Sequence, residues 1–86
     1  MDASSTSRTL SSFPLSQADR RQALYVIEVG GAEAEVRRLA SMGVSVGTCL
    51  QITSRYKGGV AIVVNGTFRL AVDGRLAERI LVNAVA

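Results

Sequence analysis

The spacing of apolar residues changes period along the chain, and each change marks an element. Residues 23–29 read ALYVIEV, a nearly continuous apolar run rich in β-branched residues. It predicts a strand with Leu24, Val26 and Glu28 on one face and Tyr25, Ile27 and Val29 on the other. Gly30-Gly31 ends it. From Ala32 to Met42 the period lengthens, and Val36, Leu39, Ala40 and Gly43 fall at helical spacing. Glu33–Arg37 is an i,i+4 pair and Glu35–Arg38 an i,i+3 pair, acid before base in each, which suits the helix dipole. Gly43 is placed as the residue that ends the helix in a left-handed conformation. After the turn Val44–Thr48, with its second glycine at Gly47, the chain alternates from Cys49 to Tyr56. Leu50, Ile52 and Tyr56 are expected on one face, Gln51, Thr53 and Arg55 on the other.

The strongest local signal follows the loop Lys57-Gly58-Gly59. Asn65-Gly66 separates the apolar runs Val60–Val64 and Thr67–Val72. That dipeptide predicts a hairpin with a type I′ turn, because both central residues must adopt positive φ. Phe68, Leu70 and Val72 share one face of its second arm. Asp73 is an N-cap for a short helical turn before a last strand at Ile80–Ala84. Upstream, Phe13-Pro14-Leu15-Ser16 reads as an extended segment over the core edge, and residues 1–12 read as a flexible N-terminal tail. Residues 13–86 then form one domain, in the order β–α–β–β–β–turn–β. So many short strands in so few residues predict a mainly β fold, a small bent barrel that hides most of its sheet edges.

Composition narrows the chemistry. The 86 residues include no His, no Trp, one Cys and one Pro. Lacking His, the chain has no imidazole base and no Ser–His or Cys–His pair. One Cys cannot make an internal disulfide or a Cys-rich zinc site. No glycine run has phosphate-loop spacing, and no paired acid cluster is visible. A non-enzymatic protein is therefore expected. Ten Lys+Arg against seven Asp+Glu leave +3, modest for a nucleic-acid binder. Residues 1–12 hold no apolar run of signal-peptide length, and no stretch approaches a membrane span.

Leu39-Ala40-Ser41-Met42-Gly43-Val44-Ser45-Val46-Gly47, led by Arg38, resembles the Arg-Leu-x-x-Leu-Gly-x-x-x-Gly signature of the ferrous iron transport protein A (FeoA) family. Asn65-Gly66-Thr67-Phe68-Arg69-Leu70-Ala71-Val72 is similar to that family's Gly-x-x-x-x-Leu-Ala-Leu strand, and Leu76–Val82 to its closing Ala-x-x-Ile-x-Val segment. The likeness spans about residues 15–84. Met42 stands where Leu is usual, Val46 where Pro often is, and Lys57-Gly58-Gly59 lacks a Pro-bracketed glycine motif. The resemblance implies an SH3-like β-barrel of five or six strands, with one α-helix inserted after the first strand and a short helical turn before the last. It also implies a cytoplasmic accessory protein of ferrous iron uptake. Its partner would be the GTP-binding membrane permease FeoB. Iron-dependent repressors carry the same barrel beside a helix-turn-helix, for which this sequence leaves no room.

Candidate contact residues follow. Arg38, Tyr56 and Lys57 are the expected partner-binding set, since Arg and Tyr often anchor interfaces. Arg37 is accounted for by its surface pair with Glu33. Gly43, Gly47, Asn65 and Gly66 are expected to set turns. Cys49 reads as a small, semi-buried hydrophobe. Cys49, Glu33, Glu35, Asp73 and Glu78 are the available metal ligands, a set poor for iron(II) without imidazole. No metal or cofactor is expected, and a homo-oligomer remains open. The competing reading is a small nucleic-acid-binding barrel, with Arg55, Lys57 and Arg69 as a phosphate-contacting stripe. One prediction follows from the turn residues. Gly43→Val is expected to cost at least ~1 kcal/mol, because a β-branched residue resists positive φ. An unchanged denaturation midpoint would contradict it.

Overall fold

The structure is a computed structural model and describes residues 12–20 and 22–85. The tail expected at residues 1–12 lies, apart from Ser12, outside the described residues. A six-stranded antiparallel sheet runs in the order β1-β6-β2-β3-β4-β5. Its strands are β1 (Phe13–Pro14), β2 (Ala23–Val29), β3 (Cys49–Tyr56), β4 (Gly59–Val64), β5 (Phe68–Asp73) and β6 (Ile80–Ala84). Helix α1 (Glu33–Ser41) follows β2, and the short α2 (Gly74–Arg79) joins β5 to β6. A 3-10 turn at Leu15–Gln17 follows β1.

The inner faces of the strands supply Leu24, Val26, Leu50, Ile52, Val60, Ile62, Val64, Val72, Ile80 and Val82 to one core. Leu15, Ala18, Leu39, Val44 and Ala77 cover it from the turns and helices. Each buried Val, Leu or Ile contributes roughly 1.5–3 kcal/mol of transfer free energy before entropy is charged against it. No polar or charged residue is buried among the described residues. The sheet does not close by hydrogen bonds between β1 and β5. Instead α2 carries the chain from one edge to the other side and seats Ala77 against the core.

Two β-bulges curl the sheet and change the strand faces expected above. In β2 the register shifts between Val26 and Glu28. Glu28 therefore faces out opposite Leu81, and Val29 turns inward opposite Ile80. In β3 the shift falls between Ile52 and Ser54. Arg55 now lies opposite the buried Val60, while Tyr56 lies opposite Gly59 on the outer face. One inserted residue reverses every side chain beyond it.

The helix also buries a narrower face than its spacing suggests. Of Val36, Leu39, Ala40 and Gly43, only Leu39 is buried, joined by Met42 packed against the core and by Val44. Helix α1 thus meets the barrel through its C-terminal half. Gly43 and Gly47 have φ of 95° and 92°, the left-handed turns expected of them. Asn65 and Gly66 are both at positive φ (52° and 82°), and Thr67 N donates to the Val64 carbonyl at 3.2 Å. The type I′ signs hold, but Val64 pairs with Phe68, so Thr67 is one extra residue in the loop. Phe68 keeps the inner-face phase of Leu70 and Val72, yet it runs past the end of the core and is 54% exposed.

Gly59 is fixed by space. A Cβ there would lie 2.2 Å from the Val72 carbonyl oxygen and 2.9 Å from the Asp73 Cα. Both obstacles are backbone of a paired strand and cannot swing aside. Gly59→Ala is expected to destabilise the protein by roughly 1–3 kcal/mol through overpacking, read as a lower urea midpoint. A midpoint equal to wild type would show that β4 and β5 do not approach this closely.

Candidate functional site

A groove of about 470 Å³ lies between the two helices. Leu39 of α1, Met42 just after it and Leu76 of α2 give it apolar walls, and Ala71 and Asp73 of β5 lie along one side. Arg38, Arg75 and Arg79 stand around it with Glu35, and Tyr56 closes one end. Local chemistry explains each position. Asp73 accepts a hydrogen bond from the Leu76 N–H at 3.0 Å, so α2 starts with the expected N-cap. That cap fixes where Arg75, Leu76 and Arg79 emerge. Tyr56 reaches the groove because of the β3 bulge. Its hydroxyl comes within 3.0 Å of where a Gly59 Cβ would stand, so the side chain folds over the glycine.

The ion pairs differ in part from the sequence expectation. Arg37 pairs with Glu33 at 3.3 Å on the exposed face of α1, as the spacing predicts. Glu35 does not pair with Arg38. It meets Arg79 of α2 at 2.5 Å, and the same oxygen accepts the Ala32 N–H at 3.4 Å. The physical reason is convergence of two donors on one carboxylate oxygen. Arg79 arrives from another element, its carbonyl accepts the Gly30 N–H at 2.8 Å, and Glu35 already points back toward the start of its own helix. Arg38 is left with no ion-pair or hydrogen-bond partner for its guanidinium among the described residues.

The expected contact set is therefore split. Arg38 and Tyr56 share the groove. Lys57 sits beside Tyr56 in the β3–β4 turn and does not line it. Arg75 and Arg79 were not expected there. Their i,i+4 spacing on a six-residue helix was the available signal, but only the tertiary course of α2 brings them opposite α1.

The nucleic-acid stripe does not assemble. The Arg55 guanidinium donates to the carbonyl of Ser16 at 2.8 Å and to that of Ala18, tying β3 to the 3-10 turn. Lys57 lies at the Gly59 end of the β4–β5 ladder and Arg69 at its Val63 end, about 13 Å apart at four strand residues. Cys49 is exposed, and not semi-buried as expected, because it precedes the inward Leu50 at the start of β3. Among the described residues, no three His, Cys, Asp or Glu side chains come together to hold a metal ion. No helix among them is long and apolar enough to cross a membrane.

An antiparallel sheet bent around an all-apolar core, helix α1 after the first long strand and a helical plug before the last define an SH3-like barrel domain with a surface groove. Profile comparison matches the FeoA domain over residues 13–84, and the chain belongs to the FeoA family. Membership places it in ferrous iron transport, in a family of small accessory domains and not of enzymes. A crystal structure of an iron uptake regulatory protein (FeoA) is 28% identical, with a TM-score of 0.77 over 86% of this chain and 99% of that one. The solution structure of FeoA from Chlorobium tepidum is 26% identical, also with a TM-score of 0.77, over 86% of this chain and 71% of that one. A manganese-dependent transcriptional repressor in complex with manganese is 18% identical, with a TM-score of 0.78 over 86% of this chain and 37% of that one. That likeness is one of fold. No curated protein sequence matches the chain.

The contrast between two arginines is testable. Arg55→Met leaves two carbonyls without their charged donor and is expected to cost roughly 1–3 kcal/mol. Arg69→Met, on an exposed strand edge, is expected to stay within about 0.5 kcal/mol of wild type. Urea denaturation of both variants checks this, and equal midpoints would refute the tie between β3 and the 3-10 turn.

Proposed function

We propose that this protein is a cytoplasmic accessory factor of ferrous iron uptake that docks on the cytoplasmic GTP-binding domain of the permease FeoB and modulates its GTP turnover. Family membership supports the pathway. The observation that carries the docking face is Arg38. It is the leading residue of the signature segment, it stands at an apolar groove beside Tyr56, and its guanidinium is used by no ion pair or hydrogen bond among the described residues. A guanidinium held next to apolar surface without a counter-charge suits a carboxylate or a carbonyl cluster on a partner. Lys57, on the adjoining turn, would lie at the rim of the contact and contribute mainly to association rate. The apolar core and the structural use of Glu33, Glu35 and Asp73 support a role by binding.

Titration calorimetry of the purified chain against the permease's cytoplasmic domain tests the reading. Binding is expected. Arg38→Glu is expected to weaken it by roughly tenfold or more, equal to about 1.4 kcal/mol, and to abolish any effect of the chain on GTP hydrolysis. Lys57→Glu is expected to slow association and leave dissociation little changed. Failure of the wild-type chain to bind, or unchanged iron uptake on its deletion, would overturn the proposal.

A further inference from the structure

The two edges of the sheet are not alike. Strand β1 is two residues long, and its second residue, Pro14, has no N–H to offer. Strand β5 is six residues long and has no neighbour beyond it. The phase of its ladder is set by the Gly74 N–H, which donates to the Gly58 carbonyl at 2.7 Å. In an antiparallel ladder hydrogen-bonded pairs alternate. Phe68, Leu70 and Val72 therefore exchange hydrogen bonds with β4, and the N–H and C=O groups of Arg69 and Ala71 point away from it. Both residues are exposed, and no described residue supplies these backbone groups with a partner.

This edge adjoins the docking groove, because Ala71 and Asp73 form part of the lining. The charges there are unbalanced. Arg79 is matched by Glu35, and Asp73 caps α2, but Arg38 and Arg75 have no acidic partner among the described residues. We propose that β5 takes up an extended segment of the partner as an added strand, with carboxylates on that segment meeting Arg38 and Arg75 and its apolar side chains resting on the partly buried Met42 and Leu76. The main-chain bonds to Arg69 and Ala71 would supply affinity, and the two arginines would supply selectivity. A second copy of this chain is a poorer occupant. Its own β5, FRLAVD, brings one Arg and one Asp and hence no net negative charge for the groove.

The proposal rests on the docking reading, and its test separates the two. The full chain is titrated with the permease's cytoplasmic domain, and amide hydrogen exchange is followed in the free and bound states. The Arg69 and Ala71 amides are expected to exchange roughly tenfold or more slowly in the complex. Ala71→Pro removes the central donor at a position that faces no strand, where proline is tolerated. It is expected to keep the urea midpoint near wild type and to weaken binding by roughly tenfold or more. Arg75→Glu is expected to weaken binding comparably. Wild-type binding without slowed exchange at Arg69 and Ala71 overturns strand addition and leaves the docking reading standing. The same holds for full affinity in Ala71→Pro. Should that variant fold poorly, the exchange measurement on the wild type decides. Absence of wild-type binding overturns both. A concentration-dependent dimer of the free chain that protects the same two amides would assign the edge to a second copy and overturn the proposal.

Discussion

The one-residue bulge at Thr53 is the constraint on which the site depends. Before it, β3 alternates as a half-buried strand should, with Leu50 and Ile52 inward. After it, the alternation is inverted. Arg55 comes to the inner side, where its guanidinium binds the carbonyls of Ser16 and Ala18 at the end of the 3-10 turn. Tyr56 goes to the outer side and folds over Gly59 toward the groove. A regular strand would send Arg55 into water and Tyr56 toward the core. The turn of chain around Leu15 and Ala18 would lose its tie, and the groove its aromatic end.

The close approach at Gly59 works in the same direction. With no side chain there, β4 can press against Val72 and Asp73 more tightly than any other residue allows. That tightness brings Asp73 to the point where it caps α2, and the cap aims Arg75 and Arg79 at α1. The pair between Arg79 and Glu35 then sets the separation of the helices. Its side chains are 44% and 45% exposed, so its energetic worth is modest, within the usual 0–1 kcal/mol or so of surface pairs. Its consequence is positional. By engaging Glu35 it leaves Arg38 without the neighbour that helical spacing offers.

This explains which parts were legible in the sequence. The strands, the helix, the Asn65-Gly66 turn and the Asp73 cap are local matters of period, turn chemistry and capping, and they stand where the residues suggest. The family resemblance was legible too, because it rests on the order of short segments. What local reasoning could not reach were the bulges. Neither Ile27 nor Thr53 carries a glycine or proline to announce one, and the inserted residue is demanded by the curl of the sheet as a whole. Glu28, Val29, Arg55 and Tyr56 lie on the faces opposite to those their spacing predicts for that single reason. The Glu35 pairing was missed similarly, since its partner is 44 positions away in sequence.

The resemblance of fold to the barrel of a metal-dependent repressor shows how little the scaffold alone decides. An apolar interior of Val, Ile and Leu is interchangeable among such barrels, and volume-conserving swaps within it cost little. Specific action must come from what the barrel leaves outside. Here the helical plug α2 covers the core where a hydrogen-bonded closure would have joined β5 to β1, so the barrel gains a lid but keeps one long edge unpaired. A free edge is an aggregation hazard unless it is short, charged or occupied. β1 meets the first condition and adds a proline. Arg69 and Asp73 partly meet the second on β5, and their charges discourage indiscriminate pairing with apolar strands. The arrangement tolerates an open edge in the free protein and leaves it ready for a partner whose charge fits.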